Sequence, residues 1–155
     1  MPKVGDVSPD FTLQDQDGVP HTLSAYQGKP VLIYFYPKDD TPGCTKQACT
    51  LRDALPDFAS LEATVLGIST DSVKSHKKFE EKYGLPFTLL SDKHKEVVNA
   101  YGVWGTKKFM GKEYVGVFRN SFLIGRDGTV IKVYEGVKPL LHANEVLEDI
   151  KRLKV

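Results

Sequence analysis

Six consecutive apolar or aromatic residues, Val31-Leu32-Ile33-Tyr34-Phe35-Tyr36, run directly into Pro37. A run this short, rich in β-branched and aromatic side chains and without polar alternation, reads as a strand covered on both faces, which belongs in the middle of a sheet. Pro37 ends it. Thr41 then stands at an N-cap position and Pro42 at the first helical position, where its missing N–H leaves no hydrogen bond unmade. A buried strand that leads straight into a helix implies a helix packed on the sheet, and it puts Cys44 in the first helical turn.

The first N–H groups of a helix lack intrahelical partners and the helix dipole adds positive potential, so a thiolate is favoured over a thiol at Cys44. An inert cysteine is expected mid-element in apolar surroundings instead. The only other cysteine, Cys49, follows five residues later. Five helical residues turn through about 500° and rise about 7.5 Å, which separates the two Cα atoms by roughly 8.6 Å. Disulfides span about 4.4–6.8 Å. On a regular helix the pair cannot be bridged in place. Either the two cysteines never bond, or bonding requires the helix to unwind locally and reform. Gly43, Thr45, Thr50 and Pro56 keep the helix propensity of the segment modest, which makes local opening accessible. Cys44, Ala48, Leu51 and Leu55 share one apolar face, from which Cys49 is displaced.

Length and charge narrow the function classes. A chain of 155 residues with 41% hydrophobic content suits one domain, residues 1–155, with a core that needs no staples. The formal net charge of +1 offers no field of one sign for nucleic acid or an anionic membrane. The start Met1-Pro2-Lys3-Val4-Gly5-Asp6 lacks the apolar core of a signal peptide, and no run approaches the roughly 18 residues of a membrane helix. A cytoplasmic location is expected, and there two cysteines point to catalytic or sensing thiols. No dinucleotide or phosphate-loop motif is present, so no cofactor is expected. His21, His76, His94 and His142 show no ligand spacing with the cysteines; no metal site is expected, and the four read as surface or capping residues.

Along the chain, two extended pieces within 11–23 flank Asp15-Gln16-Asp17-Gly18 and predict an N-terminal β-hairpin. A helical turn is expected at 24–28. The cysteine helix is expected at 42–53, with Leu55-Pro56 kinking it or starting a second piece. A strand at 64–70, a helix at 72–82 capped by Asp71 or Ser72, a strand at 87–90 and a helix from Ser91-Asp92 to Tyr101-Gly102 follow. Such alternation predicts parallel neighbours with right-handed crossovers. The style then changes: a polar loop at 107–111, strands at 114–118 and 120–124, and a turn at Arg126-Asp127-Gly128 into a strand at 130–134. A helix at 140–153 closes the chain, with Leu141, Val146, Leu147, Ile150 and Leu153 inward. The fold class is α/β, a thioredoxin-like sheet flanked by helices. The absence of Cys-x-x-Cys argues against a general dithiol exchanger.

At this point the sequence resembles the peroxiredoxins, and within them the bacterioferritin comigratory protein or peroxiredoxin Q group, over nearly its whole length. The most specific part is Pro37-x-x-x-Thr41-x-x-Cys44, extended by Ala48-Cys49 and Arg52-Asp53. Tyr101-Gly102-Val103-Trp104 and Arg119-Asn120-Ser121-Phe122-Leu123-Ile124 also look like that group. The resemblance implies thiol peroxidase activity. Cys44 would attack the peroxide O–O bond, Thr41 and Arg119 would position the peroxide and stabilise its charge, Pro37 would shield the pocket, and Cys49 would resolve the oxidised cysteine. It implies a peroxide substrate, thioredoxin or a similar dithiol as reductant, and a monomer. On its own, an arginine beside a strand is more often a surface residue; the resemblance is what moves Arg119 to the site. Gly125 and Leu51 depart from the group, where an acidic residue and an aromatic are common. A non-enzymatic redox sensor would use the same two cysteines; repeated turnover with a reductant separates the two readings.

Overall fold

The computed structural model describes residues Met1–Val155. Strands β1 (Thr12–Gln14) and β2 (Pro20–Thr22) pair antiparallel as the expected hairpin, and its turn is closed by the Gly18 N–H, which donates to Asp15 O at a φ of 77° that suits glycine. A 3-10 turn at Leu23–Tyr26 leads to β3 (Val31–Phe35), buried at every residue, and α1 (Pro42–Ser60) follows. Then come β4 (Thr64–Ser69), α2 (Val73–Tyr83), β5 (Thr88–Ser91) and α3 (Glu96–Ala100). Strands β6 (Trp104–Phe109) and β7 (Lys112–Val117) form a separate two-stranded ribbon, and β8 (Ser121–Ile124), β9 (Val130–Tyr134) and α4 (His142–Leu153) complete the chain.

The main sheet has seven strands in the order β2-β1-β5-β4-β3-β8-β9. The strands alternating with helices pair in parallel, β3 with β4 and β4 with β5, while β8 runs antiparallel to β3 and β9 to β8. This is the thioredoxin-like α/β arrangement expected, with β3 inside the sheet. Alternation along β3 divides the interior. Leu32, Tyr34 and Tyr36 face a cluster shared with α1, α2 and α4, whereas Val31, Ile33 and Phe35 face one shared with α3, the 3-10 turn and β8.

Several local expectations are corrected. Helix α1 does not end near Asp53; it continues through Pro56 to Ser60. Leu51 and Phe58, on either side of the proline, are fully buried, so packing offsets the one missing N–H. Helix α3 starts only at Glu96, and the Asp92 carboxylate reaches forward to accept from the Val98 N–H at 2.8 Å. Residues 107–111 are not a loop: they lie in β6 and its tight turn, an exposed ribbon with no buried face to impose an alternating apolar pattern. On α4, Val146, Leu147 and Ile150 are buried as expected, but Leu141 and Leu153 at its ends are exposed. Two of the four histidines, His76 and His142, are interior rather than surface residues. No helix is long and apolar enough to cross a membrane.

Candidate active site

Helix α1 starts beyond the C-terminal end of β3, and its geometry there is that of an N-cap at Thr41, with extended φ and ψ of −96° and 156°. The Thr41 side chain, however, does not cap the helix. Its hydroxyl donates to Lys38 O at 2.9 Å, and the first turn contains no acidic residue. The amide donors at the start of α1 therefore meet no capping side chain, which leaves the positive end of the helix available to an anion. Cys44 lies in this turn, 1% exposed. Pro37, two residues past the end of β3, is half-buried.

Antiparallel pairing of β8 with β3 brings the segment before β8 alongside the end of the central strand: Phe35 N–H donates to Asn120 O at 2.9 Å, and Val137 N–H donates to Arg119 O at 2.9 Å. Held from both sides, Arg119 directs its guanidinium across the start of α1. Its Nη2 donates to Cys44 Sγ at 3.4 Å and its Nη1 to Gln47 Oε1 at 2.7 Å. The approach depends on Gly43, because a Cβ there would stand 2.9 Å from Arg119 Nη2. A neighbouring cation, Lys107, is held below its ordinary range by partial burial and by the charge of Arg119.

The structure thus brings Cys44 and Arg119 into contact, while the Thr41 hydroxyl is engaged elsewhere. Cys49 is half-buried on the same unbroken helix, and both cysteines are free thiols. Beneath the site, Tyr34 belongs to the same buried cluster as Cys44, with Gly67 on β4 leaving room for its ring. Burial, and then the proximity of Cys44, push the Tyr34 phenol well above its usual range, so it stays protonated. Gln47 and Tyr34 were not among the residues singled out from the sequence, and Gly43 was singled out for its low helix propensity and not for the room it leaves beside Arg119. Gln47 had a usable signal, since a residue three positions after Cys44 lies on the same helix face. Gly43 and Tyr34 had none apart from the fold.

A thioredoxin-like sheet with a buried thiol at an open helix start, paired with an arginine, defines a thiol-based oxidoreductase. Residues 4–133 match the model of the AhpC/TSA family. The chain is 49% identical over 149 residues to peroxiredoxin Bcp of Escherichia coli (strain K12), covering 96% of both proteins. To peroxiredoxin Bcp of Bacillus subtilis (strain 168) it is 45% identical, covering 96% of this chain and 95% of the other. Among solved structures, a cysteine-to-serine mutant of Xylella fastidiosa PrxQ superposes with a TM-score of 0.94 at 34% identity, over 100% of this chain and 99% of that one. The Xanthomonas campestris bacterioferritin comigratory protein, studied for its alkyl peroxide reduction activity, gives 0.90 at 36% identity over 100% and 99%. The chain belongs to the AhpC/TSA family and, within it, to the peroxiredoxins of the bacterioferritin comigratory protein or peroxiredoxin Q group.

Proposed function

We propose that this peroxiredoxin reduces hydrogen peroxide and organic hydroperoxides with Cys44 as the attacking thiolate and Cys49 as the resolving thiol. The observation that carries the reading is the 3.4 Å contact between Arg119 Nη2 and Cys44 Sγ at the uncapped start of α1. A guanidinium and free amide donors both stabilise a thiolate, and both stabilise the charge that develops as the O–O bond breaks. The thiolate attacks one peroxide oxygen, the O–O bond cleaves, and the leaving oxygen departs as alkoxide or hydroxide and takes up a proton. Cys44 is left as sulfenic acid. Arg119 holds the sulfur and orients the peroxide, Thr41 lines the approach, and Pro37 screens the pocket from water. Alkyl peroxide reduction by the Xanthomonas campestris relative supports the inclusion of organic hydroperoxides.

Cys49 then attacks the sulfenic sulfur, forming the Cys44–Cys49 disulfide and releasing water. Because both residues lie on one continuous helix, the first turns of α1 unwind for this step. A thioredoxin-like dithiol exchanges with the disulfide, becomes oxidised itself and returns two thiols to the chain. All of these groups come from one chain, which supports a monomer as the working unit. The test is peptide mass mapping after one equivalent of hydrogen peroxide is added to reduced protein at neutral pH. A Cys44–Cys49 cross-link within seconds is expected. An unmodified pair would refute the peroxidase assignment of these cysteines.

A further inference from the structure

One buried polar cluster takes no part in the chemistry above. Asp39, in the loop between β3 and α1, is buried, and so is His76 of α2. Asp39 Oδ2 lies 2.7 Å from His76 Nδ1 and accepts from the Ser75 hydroxyl at 2.8 Å, while Oδ1 accepts from the Tyr36 hydroxyl at 2.6 Å. On its other side, His76 Nε2 is 2.9 Å from Leu90 O. A carbonyl oxygen only accepts, so Nε2 carries a proton. The Asp39 carboxylate thus accepts from two hydroxyls and faces the His76 ring at hydrogen-bond distance. The backbone joins in, with Asp39 N–H donating to Asp71 Oδ2 at 2.8 Å. Asp39, Asp71 and His76 bring potential ligand atoms within 4.8 Å of one another, yet each of these atoms already has a hydrogen-bond partner in this network.

The next residue is tied as well. Asp40, at a left-handed φ of 56°, accepts from Lys82 Nζ at 2.7 Å and from the Tyr83 hydroxyl at 2.5 Å. Helix α2 therefore grips the loop through residues near both of its own ends, immediately before Thr41, the N-cap residue of α1. The loop cannot relax without breaking charged hydrogen bonds, the stronger of them out of water.

We propose that Asp39 and His76 are positioning residues that set how readily the first turn of α1 opens, and so how oxidised Cys44 is divided between disulfide formation and overoxidation. The proposal rests on Cys44 and Cys49 forming the disulfide. Sulfenic Cys44 has two fates. It condenses with the Cys49 thiol, losing water, once the turn opens; while the turn stays folded, a second peroxide transfers an oxygen to give sulfinic acid and an alcohol or water. A tight clamp prolongs the folded state, which speeds the first oxidation and favours the second fate.

Two variants test this. Asp39→Asn keeps the size of the side chain, and its amide can donate to a neutral His76, but the charge is gone. Lys82→Ala with Tyr83→Phe loosens the second tie without touching the core. Rapid-mixing fluorescence follows sulfenic acid and disulfide formation, and mass spectrometry gives the sulfinic fraction during turnover with a dithiol reductant. In Asp39→Asn, the loss of a charged hydrogen bond is expected to raise the peroxide dose for half-overoxidation about tenfold and to slow the first oxidation by about threefold or more. The double variant should move both in the same direction by about twofold. An unchanged partition in both variants, with the cross-link still forming in the wild type, overturns the clamp and leaves the peroxidase reading intact. If Asp39→Asn fails to fold, the double variant decides. A wild type that never forms the cross-link overturns both.

Discussion

On one face of the main sheet, Leu32 and Tyr34 of β3 and Tyr36 just after it meet α1, α2 and α4; on the other, Val31, Ile33 and Phe35 meet α3, the 3-10 turn and β8. The two interiors differ in what they leave polar. The second is aliphatic and aromatic, and the hydroxyl of its one fully buried tyrosine, Tyr101, donates to Pro9 O at 2.6 Å. The first holds Cys44 and three buried tyrosines, with Gln47, His76, His142 and Asp149 buried on the helices that cover it. Polar groups in an interior must be partnered or they cost stability, so the cysteine side is expensive to fold and the apolar side offsets it. The division predicts that substitutions in one interior should act on stability and in the other on reactivity.

The apolar interior should give the largest effect. Phe122→Ala is expected to lower unfolding stability by about 3–5 kcal/mol while the protein that remains folded keeps its rate with peroxide. Chemical denaturation and single-turnover kinetics measure the two quantities separately, and a large loss of rate in the folded fraction would break the comparison. On the cysteine side, Arg119→Met should slow the first oxidation by about 10²–10³-fold with little change in melting temperature. Equal losses of stability and rate would mean that the arginine acts as packing.

His142 sharpens the cost of the polar side. Burial lowers this histidine from the ordinary 6.5 to about 4, and neither ring nitrogen has a protein partner. The unfolded chain takes up a proton as pH falls below about 6.5, whereas the folded chain does not until about 4. Stability present above pH 6.5 is therefore lost across that window, by on the order of 3 kcal/mol. Denaturant midpoints at several pH values should show this slope, and His142→Leu should flatten it. The smallest expected effect comes from Gly43→Ala. The added Cβ pushes on Arg119 Nη2, the end of a flexible side chain, so the fold should hold or gain about 1 kcal/mol of helix propensity while the oxidation slows about tenfold. Unchanged kinetics would show that the arginine contact has slack.

The legible part of this site was the part written locally. The strand of 31–36, the break at Pro37, the helix start and the first-turn cysteine follow one another without interruption, so propensity and capping rules suffice to place them. Arg119 lies 75 residues from Cys44 and was reachable only through resemblance; antiparallel pairing of β8 with β3 makes the contact. The Asp39–His76 network was illegible for the same reason, since 37 residues separate the partners and each alone reads as a solvated polar group. Thr41 was a subtler case: its backbone adopts the cap geometry, but its hydroxyl turns to Lys38 O because that carbonyl is within reach in the tight loop. Pro56 and the β6–β7 ribbon were misjudged from opposite causes, one because packing overrides propensity and the other because nothing packs.

The alternation of β3 has a consequence at the level of the gene. Odd and even residues of this strand serve different interiors, so removing a single codon between 31 and 36 would turn each downstream side chain of the strand to the opposite face. Tyr36 would leave Asp39 and enter the aliphatic interior, and the chain would reach Pro37 out of phase with the helix that holds the thiol. Drift in this segment can exchange one bulky side chain for another far more easily than it can change their number.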